Sequence, residues 1–492
     1  MDKITISRRL FLKGCTALGL TAAAAGCAPK GTPEAVEPKL PVQATEAKPV
    51  EPTPTVLVQV TEKPALTVPE GACDNHDIFV PLMPMDEKIT LTFWDSCESE
   101  TVSRRYDELA SEFSQVYPNV TMEGQHAQSP ENFVAACAAG TPPDLWSGGW
   151  NPERIGIWAY TGCLYPIDEF LDEVNFPRDR FIQGSWGTVT MDGKTWGLPT
   201  GVGIYMLWYN PQHLKEVGAS FPKDTDELWA IADELTTRDA SGNIDRLGMR
   251  LTTWFWEHLT WICCFGGEIW DLNKNEPTPD HPGVLAALND MVAVVKRYGV
   301  ETLDRWSSSI GGMQGAQQPF FSGKLSMLIE GDWYFQQIVE MYPDWEVGNQ
   351  FGVDAAPFAP ASKLGGEPAV SLWVWPQLIS KGAKHPRWAW EYMRWSVSRE
   401  RAIKGASTTR DLISTKCYLE DPRVDWESAK AVVRIIKGQK KSVSPLPCTP
   451  ISGEYADLIA AAIDEVIHLQ ITPEDAMARV KQEAMRLYEE YR

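Results

Sequence analysis

The sequence predicts an α/β protein of more than one domain, and three observations carry that expectation. Between Ile89 and Trp146, short apolar runs alternate with helical ones in a β-α-β-α-β rhythm, the pattern of a parallel sheet with helices on both faces. The chain has 492 residues, more than one hydrophobic core usually organises. In its middle lies Trp196–Asn210, WGLPTGVGIYMLWYN. Here a strand end at Trp196–Pro199 is followed by Gly201 and Gly203, then by an unbroken apolar run, Ile204–Tyr209, of the kind buried on both faces of a sheet. A flexible break between two rigid pieces is a place where a chain can cross between lobes and let them rock. An ordinary loop inside one domain fits these residues equally well.

Taken in order, the chain opens on an address. Ser7-Arg8-Arg9-Leu10-Phe11-Leu12-Lys13 matches the twin-arginine export pattern, and Leu18–Ala25 is a short apolar core. Ala24-Ala25-Gly26-Cys27 resembles a lipoprotein cleavage box, so residues 1–26 are expected to be a signal and Cys27 to carry lipid. A plain cleaved signal, with Cys27 incidental, is the alternative. No later run reaches the roughly 20 apolar residues of a spanning helix, so the mature protein is expected outside the membrane, tethered to it. Residues 27–85 are rich in Pro, Thr, Glu, Val and Ala with almost no aromatics, too little apolar surface to fold, and read as a disordered tether.

Ile89–Trp94 then reads as the first strand, Thr101–Tyr117 as a helix stopped by Pro118, and Val120–Gly124 as the second strand. Asn132–Ala139 follows as a helix, and Thr141–Trp146 as a turn into the third strand. Ligands of such sheets sit at the carboxyl ends of strands, here the loops Asp95–Thr101 and Ser147–Arg154. Those loops and the strand ends beside them carry Trp94, Asp95, Ser96, Trp146, Trp150, Asn151 and Glu153: rings for stacking and short polar groups for hydroxyls. Trp94 and Trp146 read equally well as strand-end core. Pro211–Val217 and Thr225–Thr237 look helical. At helical spacing Trp254, His258 and Trp261 share one face, which indicates packed core, while Trp256 and Glu257 point elsewhere as ligand candidates. Asp271, Asn273 and Asn275 have calcium-loop spacing, but Glu276 replaces the required glycine and no glutamate holds the twelfth position, so a polar hairpin turn is expected. Pro282–Tyr298 reads as a helix.

The formal charge is −21, and removing residues 1–26, with four basic and one acidic residue, leaves −24. That balance disfavours nucleic acid and anionic lipid as partners. The 21 tryptophans suit a protein that stacks rings on the apolar faces of a ligand. Beyond Cys15 and Cys27, eight cysteines remain: Cys73, Cys97, Cys137, Cys163, Cys263, Cys264, Cys417 and Cys448. Structural bridges or buried thiols are expected, and 105 pairings are open. Without a CxxC or a His/Cys cluster no metal is expected, and no cofactor.

Phe320-Phe321-Ser322-Gly323-Lys324-Leu325-Ser326-Met327-Leu328-Ile329-Glu330-Gly331-Asp332-Trp333 resembles the signature of the extracellular solute-binding proteins, family 1, which serve sugar-importing ABC transporters. Pro143-Asp144-Leu145, Gly197-Leu198-Pro199, Leu207-Trp208-Tyr209-Asn210 and Thr472-Pro473-Glu474-Asp475-Ala476-Met477 fit the family in the same order, over roughly residues 87–492. The resemblance implies a two-lobe, periplasmic-binding-protein-like (type II) α/β fold with a hinge between discontinuous lobes. Lobe I would comprise 86–200 plus 366–415, and lobe II 201–365 plus 416–492. The first crossing would hinge near Pro199, Gly201 and Gly203. The second would fall in Ala355–Gly366, ending in Gly365 and Gly366, a stretch that composition alone marks as linker. By likeness Asp332, Trp333, Trp373 and Tyr455 line the cleft. Trp146-Ser147-Gly148-Gly149 departs from the family's maltodextrin binders, so their ligand does not carry over. The implied function is to bind a mono- or oligosaccharide by hinge closure, as a monomer, and to pass it to permease subunits. The alternative is an exported glycoside hydrolase, which needs two carboxylates facing across the cleft about 5–10 Å apart. Asp95, Glu153, Glu257, Asp332 and Glu454 are the candidates.

Overall fold

The computed structural model describes residues 78–98, 100–148, 152–182, 184–310, 318–357, 359, 369–409, 412–416, 418, 421, 423–424, 441–443 and 446–491. The signal, Cys27, Trp150, Asn151, Gly365 and Gly366 lie outside them. Ten strands form one sheet: β1 (Ile89–Trp94), β2 (Val120–Gln125), β3 (Leu145–Ser147), β4 (Leu198–Tyr209), β5 (Thr237–Arg238), β6 (Ile244–Met249), β7 (Leu325–Gly331), β8 (Gly352–Asp354), β9 (Ala369–Ile379) and β10 (Lys441–Val443). Their order is β2-β1-β3-β9-β4-β7-β6-β5, with β8 also on β4 and β10 also on β9. The expected parallel arrangement holds for β1, β2 and β3. Beyond them the sheet is mixed, because β9 returns antiparallel to both β3 and β4.

The helices used below are α1 (Glu100–Val116), α2 (Pro130–Ala139), α3 (Ile155–Tyr160), α4 (Thr225–Leu235), α5 (Phe255–Cys264), α6 (Pro282–Tyr298), α7 (Val300–Ser309), α8 (Trp333–Met341), α9 (Pro386–Ser396), α10 (Ser452–Ile467) and α11 (Pro473–Glu489). Their ends follow the local sequence. Ser129 accepts from Asn132 N–H ahead of Pro130 to start α2, and Gly140 closes it at φ 74°. Asp224 caps α4 and Thr472 caps α11 in the same way. Asp271 Oδ1 accepts from the N–H groups of Asn273 and Lys274, which makes the expected hairpin turn between Trp270–Asp271 and Glu276–Pro277.

Strand β4 runs for 12 residues without interruption, so Gly201 and Gly203 lie inside one strand and not in a break between two. Both glycines are paired in the ladder with β9, opposite Trp375 and Trp373. Gly201 serves close approach, since a Cβ there would stand 2.9 Å from Trp375 Cε3. Every residue of β4 except Thr200 and Tyr209 is buried, as its apolar run predicts.

The core divides into clusters. One gathers Leu91, Phe93, Phe113, Tyr117, Trp388, Tyr392 and Trp395 around β1, α1 and α9. A second gathers Phe133, Trp146, Trp158 and Cys163 beside β3. There Trp146 packs on Phe133 and Trp158 at ring separations of 5.2 and 5.0 Å, which settles its role as core. The largest joins the far half of β4 to β6, β7, α4–α6, α10 and α11. The C-terminal helices α10 and α11 thus pack with α6.

Residues 78–85, which composition places in the tether, are docked on the fold. Phe79 and Met83 pack on the first cluster, Leu82 N–H donates to Glu391 at 2.9 Å and Arg394 donates to Val80 O at 2.9 Å. Two apolar side chains and these bonds suffice to dock residues 78–85, although no helix or strand forms there. Among the described residues no helix is long and apolar enough to cross a membrane. Of the six described cysteines, all free thiols, only Cys137 is not buried.

A Cβ at Gly248 in β6 would overlap the carbonyl oxygen of Ala232 in α4. Gly248→Ala should therefore lower stability by about 2 kcal/mol, as overpacking of a close helix–strand contact does. A thermal melt indistinguishable from wild type would show that the backbone yields there at no cost.

Candidate functional site

The sheet order locates the site. Strands β1 and β3 lie beside the N-terminal half of β4 and run the same way, ending level with Leu198 through the pairs Ser147–Gln377 and Gln377–Leu198. Strands β6 and β7 lie beside the C-terminal half of β4. They run the opposite way, and β7 ends at Gly331 level with Tyr205. Both sets of carboxyl ends therefore point at the middle of β4, which pairs with β9 on one edge and on the other meets residues 412–414, through the bridge Gly201–Ile413 and the bonds from Val202 N–H to Leu412 O and from Ser414 N–H to Thr200 O. The helices that follow them meet across this gap: Arg105 of α1 donates to Gln336 Oε1 of α8 at 3.0 Å.

On the β7 side, Asp332 is fixed twice to β4. Its Oδ1 accepts the Ile204 N–H at 2.8 Å and its own N–H donates to Ile204 O at 3.1 Å. Burial raises its carboxyl to about 7 against those bonds and the charge of Arg105. Trp333 is half-buried, its ring lying where a Cβ at Gly331 would be and meeting Tyr205 edge-on at 5.2 Å. The hydroxyls of Tyr205 and Tyr418 are buried with no hydrogen-bond partner among the described residues. Burial raises both, and the charge of Asp332 adds to it in each.

On the β1 side, Asp95 is fully buried and committed to structure. Oδ1 accepts Cys97 N–H at 3.0 Å and Oδ2 lies 2.7 Å from His126 Nδ1, with Asp107 at 3.2 Å from Nε2. Burial raises Asp95, offset in part by His126. Burial alone would lower His126, but Asp95 and Asp107 override it and raise it. Trp94 is partly buried against the second core cluster and Ser96 is half-buried.

The group around α5 corrects the helical-face expectation. Helix α5 begins at Phe255, so Trp254 stands outside it as the capping residue, in extended conformation, and its ring turns outward, 47% exposed. Trp256 and Glu257, the expected ligand candidates, are buried. Glu257 Oε1 accepts from Arg250 Nη2 at 2.6 Å while Oε2 takes the N–H groups of Thr253 and Trp254. Glu330 lies 3.9 Å from the same guanidinium, and burial together with the Glu257 charge raises it to about 8. His258, pushed down to about 3 by burial and by Arg250, is neutral beside Thr252 Oγ1 at 2.8 Å. Tyr455, assigned to the cleft by likeness, belongs to the core: it is fully buried, donates to Ile269 O at 2.5 Å and packs on Trp270. Trp373 pairs with Gly203 in β9, and its side chain lies outside the described residues.

The gap thus brings together Asp332 and Trp333 from the expected set. Arg105, Tyr205, Gln336 and Tyr418 join them without having been singled out. Tyr205 sat in view within the central apolar run, but a strand buried on both faces gives no sign of which hydroxyl lacks a partner. Among the described residues no group of three or more His, Cys, Asp or Glu could hold a metal ion.

The family model of the bacterial extracellular solute-binding proteins matches residues 108–432. The chain belongs to this family. Among curated relatives of this solute-binding protein is the maltotriose-binding protein of Pyrococcus abyssi, 22% identical over 375 residues, 74% of each chain. The arabinooligosaccharide-binding protein of Bacillus subtilis is 20% identical over 79% of this chain and 90% of its own. Among solved structures, CpMnBP1 with mannotriose bound superposes with TM-score 0.67 at 25% identity, covering 81% of this chain and all of the other. The GacH receptor of Streptomyces glaucescens, solved unliganded and with acarbose, shares the fold with TM-score 0.66 at 19% identity over 82% of this chain and 99% of its own. The solute-binding protein therefore has the two-lobe α/β fold.

The folded value of Asp332, about 7, lies above its ordinary 3.8. The folded chain then holds a proton that the unfolded chain releases, so this contribution to stability is complete at acid pH and is lost as pH rises through 7. Asp332→Asn keeps an acceptor for Ile204 N–H and removes the ionisation. Its melting midpoint should exceed that of wild type at about pH 8 and fall less between about pH 5 and 8. A mutant midpoint below wild type at pH 8 would show that the ionised carboxylate is stabilising.

Proposed function

We propose that this solute-binding protein captures a carbohydrate, a mono- or oligosaccharide, in the gap at the middle of β4 and hands it to the permease of an ABC importer. The observation that carries this reading is that gap: two sets of strand ends facing one another along β4 and β9, with the half-buried Trp333 against Tyr205 on one side and the Arg105–Gln336 contact across it. A sugar presents C–H faces that suit the Trp333 ring, and hydroxyls that suit Tyr205, Arg105 and Gln336. The names of the relatives, which bind maltotriose, arabino-oligosaccharides and mannotriose, point to the same ligand class. The lobes are 86–200 plus 366–415 and 201–365 plus 416–492. Pro199, Gly201 and Gly203 lie in the neck of β4, and Gly365 and Gly366 precede the neck of β9. Bending there closes the cleft, with Arg105 and Gln336 as a contact of the closed form. Export by the twin-arginine route and lipid attachment at Cys27 would hold the monomer at the membrane face.

A binder, rather than a hydrolase, suits the state of the carboxylates. Asp95 is bound to His126, Glu257 to Arg250, and Asp332 to the backbone of β4. Of the other two candidates, Glu153 lies 3.8 Å from Arg154 and Glu454 feels the same charge.

Incubation with mannotriose, maltotriose and arabino-oligosaccharides should raise the melting midpoint with at least one of them and return it intact on chromatography. Cleaved sugar would establish the hydrolase instead. With the sugar so identified, Trp333→Ala should weaken binding at least tenfold, about 1.4 kcal/mol, and unchanged affinity by calorimetry would place the site elsewhere. Arg105→Ala should increase the radius of gyration of the unliganded protein in small-angle scattering by removing a contact of the closed form. Superimposable curves would mean that Arg105 does not hold the lobes together.

A further inference from the structure

Two cysteines that the binding site does not use lie side by side. Cys137 stands near the end of α2, and Cys163 follows the turn at Thr161–Gly162 that ends α3, 26 residues further on. The Cys137 thiol donates toward Cys163 O at 4.0 Å and also to the Cys163 sulfur, which takes a second bond from Thr161 Oγ1 at 3.7 Å. Cys163 is buried, whereas Cys137 is partly open to solvent. The surrounding backbone is fixed: Cys163 N–H donates to Trp158 O at 2.8 Å and Cys163 O accepts from Lys381 N–H at 2.9 Å. Both side chains belong to the cluster around Trp146 and Trp158. Two thiols in contact, on a rigid frame, in a protein of an extracellular family meet the conditions under which thiols do not stay reduced.

We propose that Cys137 and Cys163 form a disulfide in the exported protein, pinning the end of α2 to the end of α3 on either side of the loop that leaves β3 for the binding gap. Cys137, partly open to solvent, reacts first: as its proton leaves, its sulfur attacks one sulfur of an external disulfide and expels the other as a thiolate. Cys163 then attacks Cys137 Sγ and expels the second. One S–S bond forms within the chain and one is lost outside it. Two electrons pass to the external disulfide, which leaves as two thiols carrying the two protons.

The test uses the full chain, incubated with oxidised glutathione, alkylated with iodoacetamide without reductant, and digested with trypsin, which cuts between the two sites at Arg154. Mass spectrometry should find one peptide pair containing Cys137 and Cys163, lighter than the sum of its parts by two hydrogens and split by reductant. The pair should persist in Cys448→Ser, whose thiol lies in the same cluster, and vanish in Cys163→Ser. Quantitative alkylation of both cysteines after oxidation, or a bridge from either to Cys448, would overturn the proposal. Neither result depends on which sugar is bound, so failure here leaves the proposed function untouched.

Discussion

The rest of the structure depends on one ladder, the antiparallel pairing of β4 and β9 through the neck. In the described sheet these two strands run between the two sets of strand ends, with residues 412–414 bridged to β4 beside them, and these hydrogen bonds set the relation of one side to the other. The ladder is narrow, and narrowness is what makes bending cheap: two strands resist twisting far less than a full sheet packed with helices on both faces. The double bond between Asp332 and Ile204 fastens the signature turn after β7 to this neck. A movement of β4 therefore moves Trp333 with it.

The second organising influence is the low dielectric around Arg250. One guanidinium lies within 4 Å of two carboxylates, and there is too little water to keep both ionised. Glu257 takes the short bond to Arg250, and the residual field raises Glu330, its neighbour, and keeps His258 neutral. The result is a rigid polar plug behind α5. A carboxylate buried beside a cation is usually fixing a fold, and here it fixes the turn that brings Trp254 to the surface.

Much of the fold was legible because hydrophobic period and capping chemistry act locally. The β-α-β-α-β rhythm, the bounds of α6 and the hairpin at Asp271 all came from residues that decide their own conformation. The family signature around Phe320–Trp333 pointed to the turn after β7, where Asp332 is bonded to Ile204 and Trp333 packs on Tyr205. What failed was direction. Trp254 and Trp256 exchange roles because one residue of shift in the start of α5 rotates a helix by 100°, and no residue in the sequence fixes that start until Glu257 is seen to cap it. Gly201 and Gly203 suggested flexibility but lie in a continuous strand, where Gly201 leaves room for Trp375. Tyr455 was carried over by likeness alone, and Arg105 and Gln336 look like any polar residue on a helix surface.

The docking of residues 78–85 on α1 and α9 has a mechanical corollary. Tyr117, which accepts from Leu82 N–H, belongs to the cluster around β1, and Glu391 and Arg394, which hold Leu82 and Val80, stand on α9, whose Trp388, Tyr392 and Trp395 belong to it too. Any load applied through residues 78–85 falls first on that one body of packed side chains.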